Sequence, residues 1–279
     1  MVRRLLAAQR SVLGWNRTKE RAEPLIEAGM AWADTPAELA AETDVLLSML
    51  TDGEAVEATL VGDDGILKGL RPGSVYLDMS TIAPQQSRGL AALVADAGSV
   101  MLDAPVSGSM ATLERGALSI MVGGDVPAFE RVRPILLDIG PKVMRVGENG
   151  HGLVMKLAIN LSLVVQVVSF CESVAMAEKA GICRDDAVDA VLNSVIASPV
   201  LGYRGPFVLE GRMPEVAWAD VALQQKDQLL GLDLARSLGS PMPFAALANE
   251  FLTKTRAVGL GAQDFAAVYE VFRAMEGMA

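Results

Sequence analysis

The chain has 279 residues, with 34 acidic and 24 basic side chains and a net charge of −10, which disfavours a nucleic-acid-binding face. With 51% hydrophobic and 21% charged residues it can bury a sizeable core, so a disordered class is excluded. Two cysteines (Cys171, Cys183) and one histidine (His151) offer no metal-ligand spacing and no Ser-His triad, and the thiols read as inert groups of a reduced, cytoplasmic protein.

In chain order, residues 2–9 (Val-Arg-Arg-Leu-Leu-Ala-Ala-Gln) read as the body of a helix with no capping residue ahead of it. Residues 11–15 read as a strand ending at Asn16-Arg17-Thr18, and residues 19–28 as a helix stopped by Gly29. Thr35 is placed to cap the next helix, with Pro36 in its first turn. Residues 44–50 (Asp-Val-Leu-Leu-Ser-Met-Leu) are almost continuously apolar, the mark of a parallel strand covered on both faces. A helix at 54–60, a strand at 74–80, a helix at 84–97 and a strand at 100–106 follow. Strands at 118–124 and 142–147 flank a helix at 127–139.

After Gly150 the alternation stops, and helices are expected at 151–180, 184–194, 220–238, 244–257 and 264–275. The stretch with Pro199, Gly202, Gly205, Pro206, Gly211 and Pro214 reads as a loop. Alternating strands and helices predict a Rossmann-like α/β half with a mostly parallel sheet over residues 1–149. An all-α half is predicted for 150–279, opened by a long interdomain helix. That helix is the strongest membrane candidate, but Lys156, Asn160, Gln166 and Glu172 within it favour a buried core helix, and no membrane partner is expected.

Open α/β sheets bind ligands beyond the carboxyl ends of their strands. Asn16-Arg17-Thr18 follows the first strand and contains no acid. A guanidinium beside a hydroxyl suits the 2′-phosphate of NADP over NAD, and the same run is also an ordinary polar turn. Thr51-Asp52-Gly53 and Ser80-Thr81-Ile82-Ala83-Pro84 are turn-like runs after the next two strands. Ser107-Gly108-Ser109 can converge backbone N–H groups and two hydroxyls on a small anion such as a carboxylate. Lys156 and Asn160 lie four apart on one face of an otherwise apolar helical run.

Asp103-Ala104-Pro105-Val106-Ser107-Gly108, Met121-Val122-Gly123-Gly124, Gly150 through Lys156 to Asn160, and Lys226-Asp227 occur in this order. Together they resemble the β-hydroxyacid dehydrogenase family, which includes 3-hydroxyisobutyrate dehydrogenase and the tartronate, glyoxylate and succinic semialdehyde reductases. The resemblance runs through essentially all 279 residues. It implies that Ser107, Gly108 and Ser109 hold the substrate carboxylate, that Lys156 is the acid/base and that Asn160 orients the substrate. It further implies that Asn16, Arg17 and Thr18 hold the adenosine phosphate, that Met49, Leu50 and Thr81 line the cofactor cleft, and that Lys226 lies near the nicotinamide. Asp227 is expected to fix a helix. The implied reaction interconverts a small β-hydroxyacid and its semialdehyde by hydride transfer, with NADP as cofactor, NAD less favoured, no metal, and a homodimer or homotetramer as the assembly. A lysine ammonium suits that chemistry because it stabilises charge on the carbonyl oxygen and donates the proton.

The sequence departs from the family pattern at its start. A dinucleotide-binding half opens with a strand, then Gly-x-Gly-x-x-Gly, then a helix. These residues begin inside that helix, and Gly150-His151-Gly152 and Gly259-Leu260-Gly261 do not supply the motif. The expectation is a start placed downstream of the natural one, with weak cofactor binding by the 279 residues as written. The alternatives are an imine reductase on the same architecture and a cofactor-deficient paralogue that does no catalysis. Lys156 counts against the imine reductase, whose relatives tend to carry an acid or tyrosine there.

Overall fold

The computed structural model describes residues 1–277. The chain divides into two compact units, residues 1–156 and 157–279, and the division falls inside one long helix.

In the first unit, α1 (Val2–Ala7) leads to β1 (Leu13–Gly14), a 3-10 turn (Lys19–Arg21), α2 (Glu23–Ile26) and β2 (Ala31–Trp32). Then come α3 (Pro36–Glu42), β3 (Val45–Ser48), α4 (Gly53–Val61), α5 (Ile66–Gly69), β4 (Val75–Asp78), α6 (Pro84–Asp96) and β5 (Val100–Asp103). The unit continues with β6 (Val106–Ser107), α7 (Met110–Glu114), β7 (Ser119–Gly123), α8 (Val126–Ile139), β8 (Lys142–Gly147) and the first turns of α9 (His151–Lys179).

The sheet is in two pieces. β1 and β2 pair in parallel by themselves. The six-stranded piece runs β3-β4-β5-β7-β6, with β8 also paired to β7. Its β3-β4-β5 and β7-β8 pairs are parallel, and β7 is antiparallel to β5 and β6. The strand expected over 100–106 is therefore two strands, because Ala104-Pro105 leaves β5 and hands the chain to the other edge of β7.

Alternation along β4 builds both cores. Val75 and Leu77 enter a cluster with Leu102, Ile120 and Val122, closed by Phe129, Val132, Leu136 and Ile139 of α8 and by Leu5 of α1. Tyr76 enters the opposite cluster with Leu46 and Met101, closed by Val56, Leu60, Leu90 and Val94 from α4 and α6. Thr35 accepts from the Glu38 N–H as the expected cap of α3, and Asp52 and Asp125 cap α4 and α8 in the same way. The helix expected over 19–28 is broken into the 3-10 turn and α2. Pro24 has no N–H to donate and disfavours helical geometry just before it.

The second unit holds the rest of α9 with α10 (Arg184–Leu192), α11 (Pro199–Glu210), α12 (Val221–Ser237), α13 (Pro243–Ala257), a 3-10 turn (Phe265–Ala267) and α14 (Val268–Met275). α9 is long and apolar enough to cross a membrane by length and composition. Val164, Val167, Phe170, Cys171 and Val174 along it are instead buried with Val208, Val221, Leu252, Phe265 and Tyr269.

The loop expected around 199–214 is corrected by α11. Ser198 caps it, Pro199 takes its first position, and Gly211 ends it at φ +62 in the left-handed cap conformation. Gly205 lets the helix pack close, since a Cβ there would stand 2.9 Å from Leu192 Cδ1.

Candidate active site

The run from Asp103 to Ser109 organises the site on the first unit. Asp103 ends β5 fully buried. Its Oδ1 accepts the Gly150 N–H at 2.6 Å and its Oδ2 the Leu153 N–H at 2.9 Å. These are N–H groups that the first turn of α9 cannot satisfy internally. Burial pushes the Asp103 carboxyl above the usual carboxylate range, against those amides, which favour its charged form. Glycines permit the close approach. A Cβ on Gly152 would lie 2.6 Å from the Met121 carbonyl oxygen, and one on Gly123 would lie 2.5 Å from Asp103 Oδ1. This seat is why Met121 to Gly124 and Gly150 to Gly152 occur together.

Lys156 is the next turn of α9 after Leu153, half-buried. Ser107, in β6, leads into Gly108 at φ +140, a conformation that favours glycine, and a Cβ there would also meet Leu118 Cδ2 at 2.6 Å. The Ser109 hydroxyl lies 3.2 Å from that of Thr112 at the start of α7. One short segment thus both anchors the helix bearing Lys156 and forms the Ser-Gly-Ser turn.

A second buried network shapes the loops after β3 and β4. Ser48 Oγ donates to Asp78 Oδ1 at 2.8 Å, so the Tyr76 hydroxyl, 2.8 Å from Ser48, donates to it in turn. The Ser80 N–H also reaches Asp78 Oδ1, at 3.1 Å, and Ser80 Oγ accepts the Leu50 N–H at 2.8 Å. Leu50 and Thr81 are half-buried and Met49 is exposed. Burial raises the Asp78 carboxyl, and its Oδ2 has no hydrogen-bond partner among the described residues. Nothing in residue spacing announces this network. Its signal is two polar residues inside otherwise apolar strands.

Asn16, Arg17 and Thr18 follow β1. Asn16 Nδ2 donates to the Thr18 carbonyl at 2.8 Å, which shapes the turn and leaves the exposed Arg17 guanidinium at its tip. Among the described residues Arg17 has no ion-pair partner and no acid stands in residues 16–18, so the donor set fits a phosphate-bearing adenosine. α1 has six residues and no side-chain cap hydrogen bond at Met1.

In the helical unit Asn160 is buried on α9, and its Nδ2 donates to Asp227 Oδ2 on α12 at 2.7 Å. A carboxylate accepts only, so the amide nitrogen faces Asp227 and Oδ1 is the remaining acceptor. Lys226 Nζ stands 3.0 Å from Asp227 Oδ1, an ion pair without hydrogen-bond alignment. Asp227, expected only to fix a helix, joins α12 to α9 and sets the orientation of Asn160. Among the described residues no group of three or more His, Cys, Asp or Glu could hold a metal ion.

A mostly parallel α/β unit followed by a helical unit, with a lysine-bearing helix seated on the sheet, defines a two-domain dinucleotide-dependent oxidoreductase. The chain belongs to the NAD(P)-dependent β-hydroxyacid dehydrogenase family. Residues 1–147 match the NAD-binding domain of 6-phosphogluconate dehydrogenase, and residues 150–272 match the NAD-binding domain of NADP-dependent 3-hydroxyisobutyrate dehydrogenase. Glyoxylate/succinic semialdehyde reductase 2 of Arabidopsis thaliana is 33% identical, over 98% of this chain and 76% of that protein. The protein Psf3, solved with NADP+ and 2-OPP, is 28% identical with a TM-score of 0.87, over 97% of this chain and 94% of that one. 3-Hydroxyisobutyrate dehydrogenase of Mycobacterium tuberculosis, solved with L-serine, is 28% identical with a TM-score of 0.86, over 98% and 94%.

Proposed function

We propose that the protein interconverts a small β-hydroxyacid and its semialdehyde, with NADP preferred over NAD and Lys156 as the acid/base. The observation that supports this reading is the Asp103 seat, since the helix it holds begins the stretch that bears Lys156 and Asp103 itself begins the segment that ends in the Ser107-Gly108-Ser109 turn. A semialdehyde carboxylate accepts hydrogen bonds from the Ser107 and Ser109 hydroxyls and the turn's N–H groups. Bound NADPH supplies the hydride. Lys156 donates a proton to the carbonyl oxygen during reduction and takes it back during oxidation.

Asn160, one turn further along α9, offers Oδ1 to a hydroxyl or ammonium while Asp227 holds its nitrogen. Arg17 and Thr18 are assigned to the adenosine phosphate, Asn16 to shaping their turn, and Met49, Leu50 and Thr81 to the cofactor's flank. Lys226 is assigned to cofactor binding. L-serine, present with one relative, is itself a β-hydroxyacid, and a second relative is named for semialdehydes.

A panel of glyoxylate, succinic semialdehyde and methylmalonate semialdehyde with NADPH and with NADH tests the reading. Reduction of at least one semialdehyde, faster with NADPH, is expected. Absence of turnover together with absence of NADPH binding rejects it.

A further inference from the structure

The carboxyl ends of β3, β4 and β5 carry one polar row. Ser48, Asp78 and Asp103 are register partners across these parallel strands, so their side chains project from the same face. One pleat earlier that face carries Leu46, Tyr76 and Met101, buried in the core under α4 and α6. The two acids of the row serve different neighbours. Asp103 takes its donors from the first turn of α9. The donors to Asp78 are Ser48, at the end of β3, and Ser80, in the loop after β4.

Ser80 extends this order to the loop after β3. The β3–β4 ladder runs to the bond from the Met79 N–H to the Ser48 carbonyl at 2.9 Å. Beyond it, the connection continues through a side chain, from the Leu50 N–H to Ser80 Oγ. Because Ser80 Oγ accepts there, its own hydrogen is left to donate. The hydroxyls of Ser80 and Ser48 and the Ser80 N–H all favour the charged form of Asp78. Each loop has one outward residue between two held ones. Met49 is exposed between buried Ser48 and Leu50, which packs on the core under α4 and α6. Thr81 is half-buried between Ser80 and Ile82, both buried.

A carboxyl is a costly choice for this place. Burial raises Asp78 above the usual carboxylate range, and the Asp103 charge beside it raises it further. Its Oδ2 lacks a hydrogen-bond partner among the described residues. The Tyr76 phenol on the same face is also pushed up by burial. Local costs of this kind cluster at functional sites. Ligands of open α/β sheets bind beyond the carboxyl ends of the strands, where this row lies.

We propose that Asp78 is a positioning residue for dinucleotide binding, acting through Ser48 and Ser80 to hold Met49 and Thr81 in the arrangement that receives the cofactor. The inference rests on the assignment of Met49, Leu50 and Thr81 to the cofactor's flank. Loops that must be ordered at binding cost affinity, and this network orders them during folding instead.

Ser80→Ala and Asp78→Asn are compared with the wild-type chain by amide exchange without cofactor, NADPH titration and urea unfolding. In Ser80→Ala, exchange at Leu50 is expected to speed about tenfold and the NADPH dissociation constant to rise about five- to tenfold. Asp78→Asn puts an amide where Oδ2 stands without a partner, and a similar loss of affinity is expected. Its stability relative to wild type moves the other way, climbing with pH. A purely structural role would move affinity and stability together. Ser80→Ala leaves the strand ladder intact, so it decides the matter even where Asp78→Asn does not fold. Unchanged Leu50 exchange in Ser80→Ala overturns the proposal, as does faster exchange with unchanged NADPH affinity. Wild-type binding matched by both variants rejects the positioning role alone. No NADPH binding by the wild-type chain rejects the proposed function, and the positioning role with it.

Discussion

At the scale of single residues, the proposed chemistry depends on Lys156 and its stability costs fall on buried carboxyls. Lys156→Ala removes the proposed proton donor and leaves the residues assigned to the adenosine phosphate in place. It is expected to lower kcat on a semialdehyde by roughly 10²–10⁴-fold with the NADPH dissociation constant unchanged, read by steady-state kinetics and fluorescence titration. Turnover within a factor of a few of wild type removes Lys156 from the mechanism. Asp78 carries a different prediction. Burial raises its pKa in the folded chain, so its favourable contribution is complete below the unfolded value of about 3.9. That contribution is lost as pH rises through the folded value. Asp78→Asn cannot ionise, so its stability relative to wild type should climb as pH rises above about 4, until the folded carboxyl has ionised. Urea midpoints across that range measure it, and a constant difference contradicts the burial argument.

At the scale of elements, two glycine-bearing segments behave oppositely. Gly152 sits where a Cβ would lie 2.6 Å from one backbone carbonyl and 2.8 Å from Asp103 Oδ2, atoms that cannot yield cheaply. Gly152→Ala is expected to cost roughly 1–3 kcal/mol and to disturb the seat of α9, measurable as a lowered urea midpoint together with lost turnover. Gly202, inside α11, has nothing within 4 Å of its notional Cβ. Gly202→Ala should therefore stabilise the chain by about 0.5–1 kcal/mol, because alanine loses less backbone freedom in a helix. No gain would mean that residues 199–210 do not hold a helix in solution. Much of this scale was legible beforehand. Apolar runs bounded by turn residues located β3, β4 and β8, and Thr35-Pro36 located α3. α11 was not legible, because its prolines and glycines read as breakers when in fact they start it, end it and pack it.

At the scale of the whole molecule, the units rest on different devices. The helical unit contains a fully buried ion pair, Arg204 to Asp264 at 3.0 Å, with the guanidinium over the Phe265 ring at 4.2 Å. Asp264 also accepts the Ala219 and Ala266 N–H groups. Asp264→Ala strands the guanidinium and those amides together. It is expected to cost about 3–5 kcal/mol, read as a lowered denaturation midpoint, with the double replacement Arg204→Met/Asp264→Ala recovering part of the loss. The α/β unit, by contrast, divides its sheet between β1-β2 and the six-stranded piece.

Residue order alone determined the class of this protein. Strand and helix alternation, the change of pattern after Gly150, and four ordered motifs suffice, because periodicity and turn chemistry are local properties of the chain. The resemblance of those motifs to the β-hydroxyacid dehydrogenase family implied the residues on which the proposed function rests. Tertiary structure alone decided what those residues touch. Asp103 was visible as the first letter of a motif, but its bonds to Gly150 and Leu153 span 47 and 50 positions. Asp227 meets Asn160 across 67 positions, and Ser48 meets Asp78 across 30. Such partnerships are fixed by which helix packs on which strand, and the free energy that fixes them is collective burial, which no single stretch of sequence contains.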